Sequence, residues 1–264
     1  AEKFFEIEYA PPRNGAPHDT LYIPFSQKKK IDLYIGFETP TIHRLGGSVW
    51  INTRSKARED IEAFAKELLE IYGKRAVVKR RPLHSDAELE EKFSHSFPYQ
   101  ETPDQKKAIE EILSDLESGR PMDRVLAGDV GFGKTEVAFR AILRAAVNNQ
   151  QSILLAPTTV LVEEHTRTMK ERFQNFPIRV ESLSRLTHPK KEKGIIRDFL
   201  DGRIDCLVGT HRILSKDIMH SLQEQGEKST VGLLIIDEEQ RFGVKQKEIF
   251  KNIRPDINIL SISA

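Results

Sequence analysis

Gly128-Asp-Val-Gly-Phe-Gly-Lys-Thr135 sets residues that bind phosphate at the spacing G-x-x-x-x-G-K-S/T. A nucleoside triphosphate ends in a compact, highly charged tail, and such a loop meets it with backbone N–H groups curled around the oxygens. Glycines at 128, 131 and 133 let the backbone come close and take dihedrals that a Cβ forbids, while Asp129, Val130 and Phe132 complete the cradle. Lys134 is expected to set its ammonium on the β and γ oxygens, and the Thr135 hydroxyl to hold Mg²⁺. Farther along, the apolar run Val231-Gly-Leu-Leu-Ile-Ile236 leads straight into Asp237-Glu-Glu-Gln240. Carboxylates at the tip of a buried strand are costly to desolvate unless a cation or a donor meets them. Asp237 is therefore expected to hold Mg²⁺ through its water shell, and Glu238 to orient and deprotonate the attacking water. Lys134, Asp237 and Glu238 are the candidate catalytic groups.

These residues need a scaffold that brings them to one edge. Val125-Leu-Ala127 reads as a buried strand feeding the loop, and Glu136 to Val147 as the helix leaving it, with apolar residues at 137, 138, 141, 142 and 145. Further strands are expected at 152–156, 178–183, 204–209, 232–237 and 257–263, the first spanning 124–128, with helical segments between most of them. Short apolar strands alternating with helices imply an α/β fold with a parallel, doubly wound sheet, whose carboxyl strand ends all face the nucleotide. Upstream, Thr102, Pro103 and Gln105 form a capping-box pattern ahead of a helix carrying Ala108, Ile109, Ile112 and Leu116. Gln105 has a second reading, in which it contacts the adenine edge of ATP while Phe97 packs near the base. The local sequence favours the cap.

Residues 1–50 lack helical periodicity and read as a small β-rich domain, with strands at Phe4–Tyr9 and Thr20–Phe25 around a Pro/Asn/Gly-rich turn at 11–17. A connector follows over 51–96. Its helix is predicted over 53–72, with Ala57, Ile61, Phe64, Ala65, Leu68 and Tyr72 on one face, Asn52 or Thr53 as cap and Gly73 as stop. The basic stretch Lys74 to Arg81 reads as a solvated linker rather than a DNA contact. The phosphate-loop lobe is expected to fill 97–264.

Composition bounds the partners. With 38% hydrophobic and 31% charged residues and a net charge of +1, the chain has no global basic field, so any nucleic-acid surface must be a local patch. The single cysteine, Cys206, lies in an apolar run and is expected to be a buried hydrophobe, which fits a reducing cytoplasm. No apolar run approaches the roughly 18 residues a membrane helix needs, so no membrane partner is expected. The chain opens on Ala rather than Met and stops directly after an apolar run, which reads as a piece of a longer protein.

Taken in order, Thr102-Pro-Asp-Gln105, the phosphate loop, Ala156-Pro-Thr-Thr159, Gly209-Thr-His211, Asp237-Glu-Glu-Gln240 and Ser261-Ile-Ser-Ala264 resemble superfamily-two helicases and translocases. The resemblance draws Gln105 toward adenine recognition and makes Thr158, Thr159, Thr210 and His211 candidates for gripping a DNA strand. Thr158 or Thr159 has the alternative of simply capping the following helix. Met122-Asp-Arg, Asp237-Glu-Glu-Gln-Arg-Phe-Gly-Val244 and Ile42-His-Arg-Leu-Gly-Gly-Ser-Val-Trp50 are similar to the bacterial transcription-repair coupling factors. That family implies a barrel-like RNA polymerase-binding domain that contacts the β subunit, a RecA-like motor lobe acting on double-stranded DNA, and recruitment of excision-repair proteins. Branched-DNA helicases of the RecG type are the nearest alternative, but usually carry Ser where this chain has Phe132. A non-catalytic interaction module with a vestigial nucleotide site is a third reading, against which Lys134, Thr135, Asp237 and Glu238 all argue. The family usually has His at the position of Gln240, and a second lobe supplies its charge-stabilising arginines.

Overall fold

The computed structural model describes residues 3–11, 13, 16–34, 42, 44–45, 48–129 and 131–263; Val130, His43 and the pair Gly46–Gly47 lie outside them. By internal contacts the chain divides into two units, Ala1–Glu67 and Leu68–Ala264.

In the first unit, β1 (Phe4–Glu8) pairs antiparallel with β2 (Thr20–Pro24), with Phe5 opposite Ile23 and Ile7 opposite Leu21. The Phe5 ring stacks on Phe25 at 4.3 Å, where the chain leaves β2 for a 3-10 turn. Among the described residues the sheet of this unit has two strands, coarser than the barrel-like domain the resemblance implies.

Helix α1 spans Ser48–Val77, longer at both ends than the predicted 53–72. Gly73 does not stop it. A mid-helix glycine costs about 1 kcal/mol relative to alanine, and the buried residues on either side, Ile71 and Arg75, hold the last turns in place. The predicted apolar face is not a uniform packing face, since Ile61 is 68% and Tyr72 47% exposed.

The second unit carries α2 (Ala87–His95), α3 (Pro103–Glu117), β3 (Asp123–Ala127), α4 (Lys134–Val147), β4 (Gln151–Leu155) and α5 (Thr159–Arg172). It continues with β5 (Val180–Leu183), α6 (Pro189–Leu200), β6 (Cys206–Gly209), α7 (Lys216–Gln225), β7 (Val231–Asp237), α8 (Val244–Ile253) and β8 (Asn258–Ser263). The six strands pair in the order β3-β8-β7-β4-β6-β5, and every pairing is parallel. This is the expected RecA-like α/β lobe with helices on both faces. The alternation along β7 explains the layering: Leu233 and Ile235 join the core under α3, α4 and α5, while Leu234 and Ile236 join the core under α6, α7 and α8. Cys206 is buried, and burial pushes its thiol pKa well up, so it behaves as a hydrophobe. Among the described residues no helix is long and apolar enough to cross a membrane.

The basic stretch Lys74 to Arg81, which begins in the last turn of α1, is solvated only in part: Lys74, Lys79 and Arg81 are exposed, whereas Arg75 and Arg80 turn inward. Arg75 is buried and donates to the carbonyls of Met122, Pro255 and Ile257 at 3.0–3.1 Å. Arg80 donates to the carbonyls of Gly232 and Asp256 and to the Gln150 side chain, and burial pushes its pKa down to about 10. These acceptors sit at or near the starts of β3, β4, β7 and β8. Carbonyls crowded at strand starts need donors, and a guanidinium offers five in one planar fork.

Candidate nucleotide-binding site

The loop leaves β3 after Ala127 and re-enters regular structure at Lys134, the first residue of α4. Gly131 and Gly133 take φ of +88° and +72°, the left-handed region open to glycine. A Cβ at Gly133 would also displace the Gln105 amide nitrogen, which donates to the Phe132 carbonyl. Lys134 Nζ donates to the carbonyls of Gly128 and Asp129, bonds that phosphate oxygens can replace. Thr135 follows in the first turn of α4, where backbone N–H groups and the helix dipole favour an anion.

Sheet register brings the acidic residues to the same level. Asp237 pairs with Ile262, and Ile262 pairs with Leu126, two residues before the loop begins. Asp237 therefore stands one strand removed from the phosphate loop, roughly 10 Å across two inter-strand spacings. Its Oδ2 lies 2.7 Å from His165 Nε2 on α5. Glu238 takes φ +53° and ψ +51°, a left-handed conformation that costs a non-glycine residue about 1–2 kcal/mol. Its carboxylate accepts from Gln240 Nε2 at 2.6 Å, and Gln240 Oε1 accepts from Ser263 Oγ at 3.2 Å. Gln240 thus bridges the ends of β7 and β8 without a titratable group.

Beside the loop opens a cavity of 940 Å³, lined by Phe97, Tyr99, Gln105, Phe132, Thr135 and Arg172 among others. Gln105 is occupied twice. Its backbone N–H donates to Thr102 Oγ1 and its Oε1 accepts from Thr102 N, completing the capping box, while Nε2 donates to the Phe132 carbonyl at 2.8 Å. The glutamine is both cap and brace of the loop, and it lines the cavity wall. Arg172 also lines it: it donates to both oxygens of Glu136 and stacks over Phe93 at 3.8 Å, with Phe97 at 5.6 Å. Neither His165 nor Arg172 is singled out by the sequence. Each meets its partner far along the chain, through packing that no local spacing encodes.

The strand-gripping candidates leave the same edge of the sheet, since Leu155 pairs with Gly209 and with Ile236. Thr158 is exposed and caps α5, accepting from Leu161 N at 3.2 Å, and Thr159 is half-buried in the first turn. Thr210 is buried and accepts from Arg212 N, whereas His211 is exposed. The four are brought to one rim but are not equally accessible.

A divalent ion suits this donor set. Among the described residues no cluster of three or more His, Cys, Asp or Glu side chains could hold a metal alone. Thr135 and Asp237 offer oxygens on two sides of the loop, which fits hydrated Mg²⁺ completed by phosphate oxygens.

Residues 102–264 match the DEAD/DEAH box helicase family. The chain belongs to that family. Its helicase region starts at the capping threonine of α3 and takes in every candidate above except Phe97. This DEAD/DEAH box chain is 44% identical over 263 residues to the transcription-repair-coupling factor of Borreliella burgdorferi, covering 99% of the chain and 22% of that protein. It is 42% identical over 248 residues to the Bacillus subtilis factor, covering 93% of the chain and 20% of that relative. The chain thus spans 20–22% of the length of these relatives. A solved structure of RecG bound to a three-way DNA junction is similar over 81% of this chain and 28% of that one, with TM-score 0.60 and 32% identity.

Proposed function

We propose that this chain is the first motor lobe, with part of an RNA polymerase-binding module, of an ATP-driven double-stranded DNA translocase. In that reading the whole protein pushes stalled polymerase forward through its β subunit and recruits excision-repair proteins in the cytoplasm. The observation that carries it is the convergence of the phosphate loop and Asp237-Glu238 on one rim of the sheet, in a chain with coupling-factor relatives at more than 40% identity.

The loop N–H groups and Lys134 bind the phosphates, and Phe97 and Gln105 form the adenine side of the cavity. When bound, Mg²⁺ neutralises charge on the phosphate oxygens, with Thr135 and Asp237 as its protein partners. Glu238 orients the attacking water and takes its proton, held for that task by Gln240. Thr158, Thr159, Thr210 and His211 mark the rim that meets the DNA strand. A charge-stabilising arginine is worth about 10³ to 10⁵ in rate where it has been measured. This reading assigns that part to no residue among those described, so the isolated chain should bind Mg·ATP yet turn it over slowly. Vigorous DNA-stimulated hydrolysis that Lys134→Ala abolishes would overturn this division of labour.

The likeness to RecG favours a second reading, a branched-DNA helicase. Pull-down against the RNA polymerase β subunit separates them. Capture that depends on residues 1–50 supports the coupling role, and selective binding of three-way junction DNA without capture supports the other.

A further inference from the structure

His165 sits midway along α5, a helix whose start carries Thr158 and Thr159 and whose last residue, Arg172, grips Glu136 beside Thr135. Its Nε2 is 2.7 Å from Asp237 Oδ2, and both side chains are only 14% exposed. The neighbouring carboxylate, Glu238, is bonded instead by Gln240 and approached by Arg241. The two acidic residues are therefore held by different elements, Asp237 from α5 and Glu238 from its own turn.

We propose that His165 is the positioning residue for Asp237, fixing the carboxylate through Oδ2 so that Oδ1 serves the hydrated Mg²⁺ of the bound nucleotide. This rests on the nucleotide-site reading above. A lone aspartate at a strand tip turns freely about its last torsion and must be ordered each time an ion binds. A hydrogen bond from a second, packed helix removes that freedom beforehand, as second-shell partners of metal ligands do. Because the same helix begins at the rim proposed to grip DNA, a shift of α5 on strand engagement would reach Asp237 through this one contact.

The test is titration of a fluorescent ADP with and without Mg²⁺, on the unsubstituted chain and on His165→Ala, His165→Gln and Asp237→Asn, with thermal unfolding of each. We expect Mg²⁺ to tighten binding to the unsubstituted chain. His165→Ala should lose about tenfold of that Mg²⁺-dependent gain while keeping its Mg²⁺-free affinity, and His165→Gln, which retains a donor of similar reach, should recover most of it. An unchanged gain in His165→Ala, or an equal loss with and without Mg²⁺, overturns the proposal. So does failure of a normally folded His165→Gln to recover the gain. Should His165→Ala not fold, His165→Leu, which fills the space without a donor, takes its place with the same outcomes. A chain that binds nucleotide without any Mg²⁺-dependent gain, or equally well after Lys134→Ala, overturns the site reading and this proposal with it.

Discussion

At the starts of the strands, Arg75, Arg80 and Asn258 direct side-chain donors at backbone carbonyls, and Asn258 also accepts from Met122 N. At the strand ends, the same sheet leads into glycines with positive φ, an ammonium resting on two loop carbonyls, and a glutamate in a left-handed conformation. The first rim ties segments distant in sequence through backbone carbonyls. The second adds short-range bonds from Lys134 that phosphate oxygens can replace, beside the long-range His165–Asp237 and Gln240–Ser263 contacts. Stability and binding are thus divided between opposite edges of one sheet, which lets the binding edge carry strain that the other edge offsets.

That division can be broken by substitution. Arg75→Ala should cost the most, about 3 kcal/mol, because it removes a buried charge and leaves three carbonyls short of a donor. Urea unfolding would measure it, and nucleotide affinity should stay within a factor of two; a larger effect on binding than on stability would end the comparison. Lys134→Ala should do the reverse. Affinity for Mg·ATP by calorimetry should fall about 100-fold, or about 2.7 kcal/mol, while unfolding shifts by less than about 0.5 kcal/mol. The smallest effect concerns the rim near His211, where hydrogen bonds from Arg212 and Ser215 hold the Asp217 carboxyl well below the usual aspartate range. A carboxyl with a depressed folded pKa adds stability above its unfolded pKa and loses it as pH falls through the folded one. Asp217→Asn should therefore be less stable than the parent at neutral pH, by no more than about 1 kcal/mol for so exposed a pair. The gap should begin to narrow as pH falls through the ordinary aspartate range and vanish only in stronger acid, below the folded pKa, read from unfolding midpoints against pH. A gap that closes near pH 4 would mean that Arg212 does not hold this carboxylate.

Six strands could be read directly because each is a short run of β-branched and other apolar residues between turn signals, and each was found within a few residues of its expected bounds. The capping box at Thr102 was equally readable, being a contact across three residues. The sequence points to a stop at Gly73 and a solvated stretch beyond it, and the fold departs from both, because propensity and charge say nothing of carbonyls contributed by residues far along the chain. Arg75 illustrates the point: it looks like one more charge in a basic run, and only folding reveals what it holds.

The sequence by itself determined which residues are candidates to bind phosphate and activate water, and where along the chain the strands and helices that carry them fall, since these depend on local spacing and side-chain periodicity. The tertiary structure alone decided that β8 lies between β3 and β7, so that the loop and Asp237 stand one strand apart. It also decided that His165 reaches Asp237 and that Arg172 closes the cavity wall. These are pairings between elements far apart in the chain, fixed by how the helices pack on the sheet.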